Sequence, residues 1–215
     1  MSLSVILLGG ELTATDRLRR QIAGARVIAA DSGILHAETL GLTPELWIGD
    51  FDSAPEGWEQ DFSGIPRKVF PPGKDKTDGE LAIDAAIESG ATALVLAGAF
   101  GGPRADHAFL HLTLALRLTE GGLPVLLTSG SQEGQAVLAG ENKFDLPEGT
   151  MFSVLGFSDL RGLSIAGARW PLDDVQVPFG SSLTVSNEVA GPLRVTLREG
   201  RAMLVSHPGQ APRQP

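Results

Sequence analysis

Leu46-Trp47-Ile48-Gly49-Asp50-Phe51-Asp52-Ser53 runs from a short apolar segment straight into an acidic turn. A brief apolar run closed by Gly and Asp is the pattern of a buried strand that delivers polar groups at its carboxyl end. The pattern occurs twice more upstream. Ser4–Leu8 runs into Gly9-Gly10, and Arg26–Ala30 runs into Asp31-Ser32-Gly33. Helical stretches alternate with these runs: Thr15–Ala23, where Leu18 and Ile22 lie one turn apart, then Thr77–Ser89 and Ala105–Leu118. Ala93–Ala97 and Pro124–Thr128 read as further strands. Strand–helix alternation implies βαβ units, so residues 1–130 are expected to form an α/β domain with a mostly parallel sheet.

Beyond residue 130 the period changes. Gln135–Ala139, Met151–Leu155, Gly162–Ala166, Ser182–Val185, Leu193–Leu197 and Ala202–Ser206 are short runs separated by Gly, Pro, Asn or Asp. That spacing predicts antiparallel strands in an all-β sandwich or barrel over residues 131–207. The tail, residues 208–215, is expected to be disordered.

Composition narrows the chemistry. Lys and Arg total 17 against 26 Asp and Glu, a net charge of −9, which disfavours nucleic acid and anionic lipid as partners. The chain has no Cys, which excludes thiolate catalysis, disulfides and Cys-based metal sites. The apolar start, Leu3-Ser4-Val5-Ile6-Leu7-Leu8, lacks a basic flank and reads as a first strand, not a signal peptide. No apolar run approaches the roughly 20 residues of a membrane helix. A cytoplasmic protein is expected.

Ligands bind beyond the carboxyl ends of strands in open parallel sheets. The loops there gather Asp31, Asp50 and Asp52, and Lys74-Asp75-Lys76-Thr77-Asp78 adds a further acidic group. Gly-Asp and Asp-Ser also suit plain turns. In an extended segment, however, positions 50 and 52 project to one side. Two carboxylates there repel unless a cation lies between them, and such oxygen ligands suit Mg²⁺ with substrate phosphates. Thr77-Asp78-Gly79-Glu80 reads as a capping box. It fixes a helix N-terminus beside the acidic loops, which favours phosphate. Gly98-Ala99-Phe100-Gly101-Gly102-Pro103-Arg104-Ala105-Asp106-His107 leads a strand through a glycine-rich turn into a helix. Its amides suit phosphate, and Arg104 offers a planar fork for phosphate oxygens or for a surface ion pair. Asp106 also fits a helix cap. His107 and His111 lie one turn apart, yet no third ligand accompanies them, so a zinc site is not expected.

With these residues in hand, the chain resembles the bacterial thiamine pyrophosphokinases over most of its length. Ala30-Asp31-Ser32-Gly33 resembles the family's Ala-Asp-Gly-Gly. Gly49 to Ser53 carries its Gly-Asp-Phe-Asp-Ser intact, and Lys74, Asp75, Thr77 and Asp78 match its Lys-Asp-x-Thr-Asp. Gly101 to His107 resembles Gly-Gly-Arg-x-Asp-His with Pro103 inserted. Trp170-Pro171-Leu172 and Ser186-Asn187-Glu188 follow in family order. Ser32, Leu35 and His111 depart from the pattern, the last two standing where the family usually has Asn.

The resemblance implies diphosphate transfer from ATP to the hydroxyl of thiamine, with AMP as the other product, in a homodimer with shared active sites. Asp50, Asp52, Asp75 and Asp78 would hold Mg²⁺, and Asp50, Asp52, Asp78 and Arg104 would carry catalysis. Asp31, Ser32, Gly33, Thr77, Arg104, Asp106 and His107 would serve the nucleotide. Trp170, Ser186 and Asn187 would serve thiamine, although Trp170 also suits a sandwich core and Ser-Asn-Glu a hairpin turn. Two other functions fit the same residues: a diphosphokinase for another alcohol such as a hydroxymethyl pterin, and a catalytically silent nucleotide or thiamine sensor. A sugar-nucleotide enzyme of the doubly wound class also places an Asp pair on Mg²⁺, but the Ser-Asn-Glu element argues against it.

Overall fold

Leu3–Leu7, Arg26–Ala30 and Ala93–Ala97 are apolar at nearly every position, and strands of that kind must be covered on both faces. A computed structural model describes residues 2–51, 62–71, 73 and 75–208. Contacts divide the chain into two compact units: Met1–His111 with Leu123–Gly130, and Leu112–Gly122 with Ser131–Pro215.

In the first unit, β1 (Leu3–Leu7), β2 (Arg26–Ala30), β3 (Leu46–Gly49), β4 (Arg67–Val69), β5 (Ala93–Ala97) and β6 (Val125–Thr128) lie in the order β4-β3-β2-β1-β5-β6. Every pairing is parallel, with Val5 opposite both Val27 and Val95. One face buries Val5, Leu7, Val27, Ala29, Trp47 and Val95. Two short helices, α1 (Asp16–Gln21) and α2 (Leu35–Leu40), cover this face with Leu18, Ala37 and Leu40. On β1, β2 and β3 also packs α3 (Asp78–Glu88), burying Ala82, Ile83, Ala85 and Ala86. The chain moves outward from β1 to β4, then returns to β1's other flank with β5. This reversal makes the β1–β5 boundary the topological switch point, where crossover connections diverge and a crevice opens.

The second unit is antiparallel. Its strands are β7 (Glu133–Val137), β8 (Gly140–Phe144), β9 (Met151–Gly156), β10 (Leu160–Ala168), β11 (Leu172–Val177), β12 (Asn187–Leu197) and β13 (Ala202–His207). The start of β12 pairs with β9 at Asn187 and Glu188, its end pairs with β8 from Leu193 onward, and β10 follows it from Arg194 to Thr196 with a further pair at Val189. Gly191 and Pro192 separate the two halves, so a single strand passes between two sheets, a known way of turning a β corner. β10 answers with a register shift between Ala166 and Ala168. Phe152, Val154, Leu160, Leu163, Ile165, Val195 and Leu197 fill the apolar core that these strands enclose. A further helix, α4 (Ala105–Glu120), begins in the first unit and ends in the second.

Several elements differ from the sequence reading. Ser182–Val185, read as a strand, is a turn: Val185 N donates to Ser182 O at 3.1 Å, and Ser186 follows with φ 62°. The alternation of Ser, Leu, Thr and Val there has a different cause, since Thr184 is buried to donate its hydroxyl to Val154 O at 2.6 Å while Leu183 and Val185 face out. The strand begins later, at Asn187, and is longer than expected. β4, β8, β11 and α2 were not expected. The tail from residue 209 lies outside the described residues. Among the described residues no helix is long and apolar enough to cross a membrane.

Candidate active site

At the switch point the carboxyl ends of β1, β2, β3 and β5 open into a cleft of about 600 Å³, built wholly from the first unit. Asp31 and Ser32 enter from β2, Asp50 from β3, and Asp75, Thr77 and Asp78 from the turn into α3. Arg104 and His107 enter from the glycine-rich turn into α4. The cleft thus brings together most of the nucleotide- and metal-side residues read from the sequence. Gly33 lies beneath it, fully packed: a Cβ there would run into the carbonyl of Leu7. Asp106 sits at its edge as the partner of Arg104. Asp52, with Ser53 and Lys74, lies outside the described residues.

Local structure explains the presentation. Asp31 ends β2 with φ 46°, a left-handed conformation that Asp tolerates better than most residues. Trp47 Nε1 donates to the Asp31 carbonyl at 2.9 Å and so ties that turn to β3. The expected capping box is present. Glu80 N donates to Thr77 Oγ1, and Thr77 N donates to Glu80 Oε2, each at 3.2 Å. The start of α3, fixed by this reciprocal pair, lines the cleft, and the helix dipole favours anions there. Asp78, the first helical residue, adds a carboxylate at the same end.

Two polar features also shape the cleft: an ion pair and an imidazole. Arg104 donates through Nε to Asp106 Oδ1 at 3.0 Å and through Nη2 to Oδ2 at 2.7 Å. These bonds hold the Asp106 carboxyl well below the usual carboxylate range and raise the guanidinium further. Both side chains are more than half exposed, so the pair positions the fork at the rim and contributes little to stability. His111 lies one turn beyond His107, with ring centroids 6.4 Å apart. Its Nδ1 lies 3.1 Å from the Ala99 carbonyl. Burial lowers its pKa, the Ala99 bond raises it, and the neighbouring His107 lowers it again, leaving the net direction downward. As a cleft-lining residue His111 was not anticipated; the i, i+4 spacing from His107 was the available signal.

The second unit carries its own cluster. Trp170 is 55% exposed, with the Arg169 guanidinium 5.0 Å over its ring. Asn187, only 6% exposed, clamps its main chain: Nδ2 donates to Trp170 O at 2.7 Å, and Oδ1 accepts from Trp170 N at 3.1 Å. Oδ1 also accepts from Glu188 N at 2.8 Å. The Asn187 carboxamide is therefore engaged with backbone through both its oxygen and its nitrogen. Ser186, left-handed, donates its N–H to Ser153 Oγ at 3.0 Å. Asn187→Ala is expected to cost about 2–3 kcal/mol, because buried amide and carbonyl groups lose their partners. Urea unfolding followed by tryptophan fluorescence measures this, and an unchanged midpoint would contradict the clamp.

Carboxylates, a capped helix N-terminus and a glycine-rich turn at a switch point define a phosphate-handling α/β protein. Residues 21–127 match the family model described as thiamin pyrophosphokinase, catalytic domain, and residues 141–202 match that described as thiamin pyrophosphokinase, vitamin B1 binding domain. The chain belongs to the thiamin pyrophosphokinase family. It is 29% identical over 166 residues to a thiamine pyrophosphokinase of Bacillus subtilis, covering 75% of this chain and 77% of that protein. It shares its fold with a solved thiamine pyrophosphokinase of the same organism: TM-score 0.82 and 23% identity, over 97% of this chain and 99% of the other. A thiamin pyrophosphokinase of Geobacillus thermodenitrificans aligns with TM-score 0.80 and 25% identity, over 99% and 100% of the two chains.

Proposed function

We propose that this chain is a thiamine diphosphokinase: it moves the terminal diphosphate of ATP onto the hydroxyl of thiamine, giving thiamine diphosphate and AMP. The observation that carries the reading is the cleft itself. Asp50, Asp75 and Asp78 face the N-terminus of α3 and the Gly101-Gly102 turn within a segment that matches the family's catalytic model.

The donor set fits Mg²⁺. Asp50, Asp75 and Asp78 offer hard carboxylate oxygens only. Among the described residues no group of three His, Asp or Glu side chains is placed to hold a metal ion by itself. Mg²⁺ rarely needs one, because it binds through one or two carboxylates and takes waters and substrate phosphates for the rest. Asp50, Asp75 and Asp78, with Asp52, would hold it; when bound, it neutralises polyphosphate charge beside the carboxylates.

This chain's own residues would then divide the work. First-turn amides of α3 and the amides of the Gly101-Gly102 turn bind phosphate oxygens. Arg104, its Nε–Nη2 edge held at the rim by Asp106, offers its remaining Nη1 and Nη2 hydrogens to the phosphates. Asp31, Ser32, Thr77 and His107 line the nucleotide's path. Trp170 stacks on the cationic ring of thiamine, a cation–π contact. The thiamine hydroxyl oxygen attacks the β-phosphorus in line, the bond from that phosphorus to the α,β-bridging oxygen breaks, and AMP leaves with that oxygen. The hydroxyl proton passes to a cleft carboxylate. Positioning and charge neutralisation supply most of the rate.

The same reading makes the second unit's two antiparallel sheets a β-sandwich that carries thiamine. It also makes the protein a cytoplasmic homodimer with shared sites. Product analysis by phosphorus NMR with ATP, Mg²⁺ and thiamine tests the activity. AMP and thiamine diphosphate in equal amounts are expected. ADP would mean an ordinary kinase, and transfer to a hydroxymethyl pterin in preference to thiamine would move the assignment to another alcohol.

A further inference from the structure

His111 differs from the carboxylates, amides and guanidinium of the cleft, and from its neighbour His107 in having one ring nitrogen bound to a backbone carbonyl. The carboxylates there suit cations, and the amides and Arg104 suit phosphates. His111 is an imidazole whose tautomer the fold has already chosen. A carbonyl oxygen can only accept, so the 3.1 Å contact with Ala99 O requires the hydrogen to sit on Nδ1. In the neutral ring that leaves Nε2 with its lone pair exposed. Nε2 has no hydrogen-bond partner among the described residues, while the side chain lines the cleft. Nε2 also lies near Gly79. A Cβ built there would stand 3.9 Å from Nε2 and 3.0 Å from Leu8 Cδ2. With Gly79 bare, the start of α3 presents no side chain toward the His111 ring at this position.

An acceptor at that place has a definite chemical requirement. A phosphate oxygen brings only lone pairs, so it is repelled there. A group carrying its own hydrogen is attracted. We propose that His111 Nε2 accepts the hydrogen of a ligand hydroxyl, making it a specificity-determining residue that separates the hydroxyl-bearing part of the ligand from the polyphosphate. Such hydroxyls come from two sources: the 2′ and 3′ hydroxyls of the nucleotide ribose and the single hydroxyl of the acceptor alcohol. The inference rests on the diphosphokinase reading for the second of these only, since the first needs nucleotide binding alone.

The test has two parts. In the unaltered protein, ¹⁵N NMR of the imidazoles reads the tautomer directly. A neutral His111 carrying hydrogen on Nδ1 is expected, with the Nε2 resonance shifting when ATP and Mg²⁺ or thiamine is added. Hydrogen on Nε2 in the neutral ring, or no shift with either ligand, overturns the proposal and requires no variant to fold. The second part compares His111→Leu with His111→Gln, whose carboxamide can donate to Ala99 and still accept.

Calorimetry measures ATP, 2′-deoxy-ATP and 3′-deoxy-ATP, each with Mg²⁺ and without thiamine. If a ribose hydroxyl is the partner, His111→Leu weakens ATP binding about tenfold, the loss expected for a hydrogen bond to a desolvated group. One deoxy nucleotide then shows the same loss in the unaltered protein and no further loss in His111→Leu, and His111→Gln restores most of the affinity. If the acceptor hydroxyl is the partner, nucleotide binding is unchanged, and kcat/KM for thiamine falls about tenfold in His111→Leu and recovers in His111→Gln. Losses that add independently for every nucleotide, together with unchanged kcat/KM for thiamine, refute it. A protein that binds ATP through His111 yet makes no AMP would sink the diphosphokinase reading and leave the ribose contact standing.

Discussion

Asp78→Asn is expected to lower turnover with ATP, Mg²⁺ and thiamine by at least about a hundredfold while leaving the fold in place. Removing one carboxylate from a phosphate-facing cation site forfeits charge stabilisation of several kcal/mol in the transition state, and about 1.4 kcal/mol corresponds to each factor of ten. Stability should move little, for two opposing reasons. A carboxylate at the first helical residue gains about 0.3–1 kcal/mol from the α3 dipole. Against that, Asp50 and Asp75 line the same cleft, and removing one of three like charges relieves their repulsion. The thermal midpoint should therefore shift by no more than about 2–4 °C, the change that 1 kcal/mol produces in a chain of this size. Raising Mg²⁺ should recover part of the activity in Asp78→Asn. Steady-state kinetics across a Mg²⁺ series, with calorimetric melting, measures both halves. Full turnover at ordinary Mg²⁺ would remove Asp78 from the site, and a collapse of the melting transition would make its role structural.

How far the sequence carried depended on whether local pattern or tertiary partner decided each element. The buried parallel strands were legible because Val5, Ile6, Leu7, Ile28 and Ala29 are apolar on both faces, as a doubly covered sheet demands. The start of α3 was legible because its cap is written into neighbouring residues, Thr77 and Glu80. β4 was not, since Arg67-Lys68-Val69 is charged and exposed and becomes a strand only by pairing with β3 at the sheet edge. β11 was hidden by Asp173 and Asp174, residues disfavoured in strands, with Asp174 at φ 47° where its pairing with β10 is irregular. α2 has only six residues, no side-chain cap and a 3₁₀ turn feeding directly into it, so no periodic signal accumulates.

In the site, chemistry was legible where charge had to cluster. It was hidden where a neutral group met backbone. Asn187 read as a ligand contact because its family position was visible and its hold on Trp170 was not. Ser32 read as a departure from a glycine motif. The structure accommodates it by setting its hydroxyl against Gly9, in space that a Cβ at position 9 would occupy.

A large effect on folding is expected at Gly98, where the same switch point is built. Gly98 adopts φ +78°, and a Cβ placed there would collide with the Leu8 carbonyl oxygen and lie 3.2 Å from His36 Cδ2. Neither neighbour can yield. Leu8 is paired through its N–H to Ala97 O at 2.7 Å, and the His36 ring is held by a 2.9 Å hydrogen bond between Nε2 and Gly10 O. Gly98 is itself tied on both sides, donating to Thr128 O and accepting from Gly10 N, each at 2.9 Å. Gly98→Ala therefore combines left-handed strain of about 1–2 kcal/mol with an overpacking cost of about 1–3 kcal/mol. Against a total stability of about 5–15 kcal/mol this is a large fraction, and it falls on the strands that frame the cleft. Gly24 separates the two causes: it has φ +74° with nothing within 4 Å of a built Cβ, so Gly24→Ala should show the strain alone, about 1–2 kcal/mol. Urea unfolding of both variants, with ATP binding measured below the transition, reads the difference. Gly98→Ala should lose at least twice the stability of Gly24→Ala and bind ATP more weakly. Equal losses in the two would mean that Leu8 and His36 move aside freely, and the rigid frame assigned to the switch point would have to be abandoned.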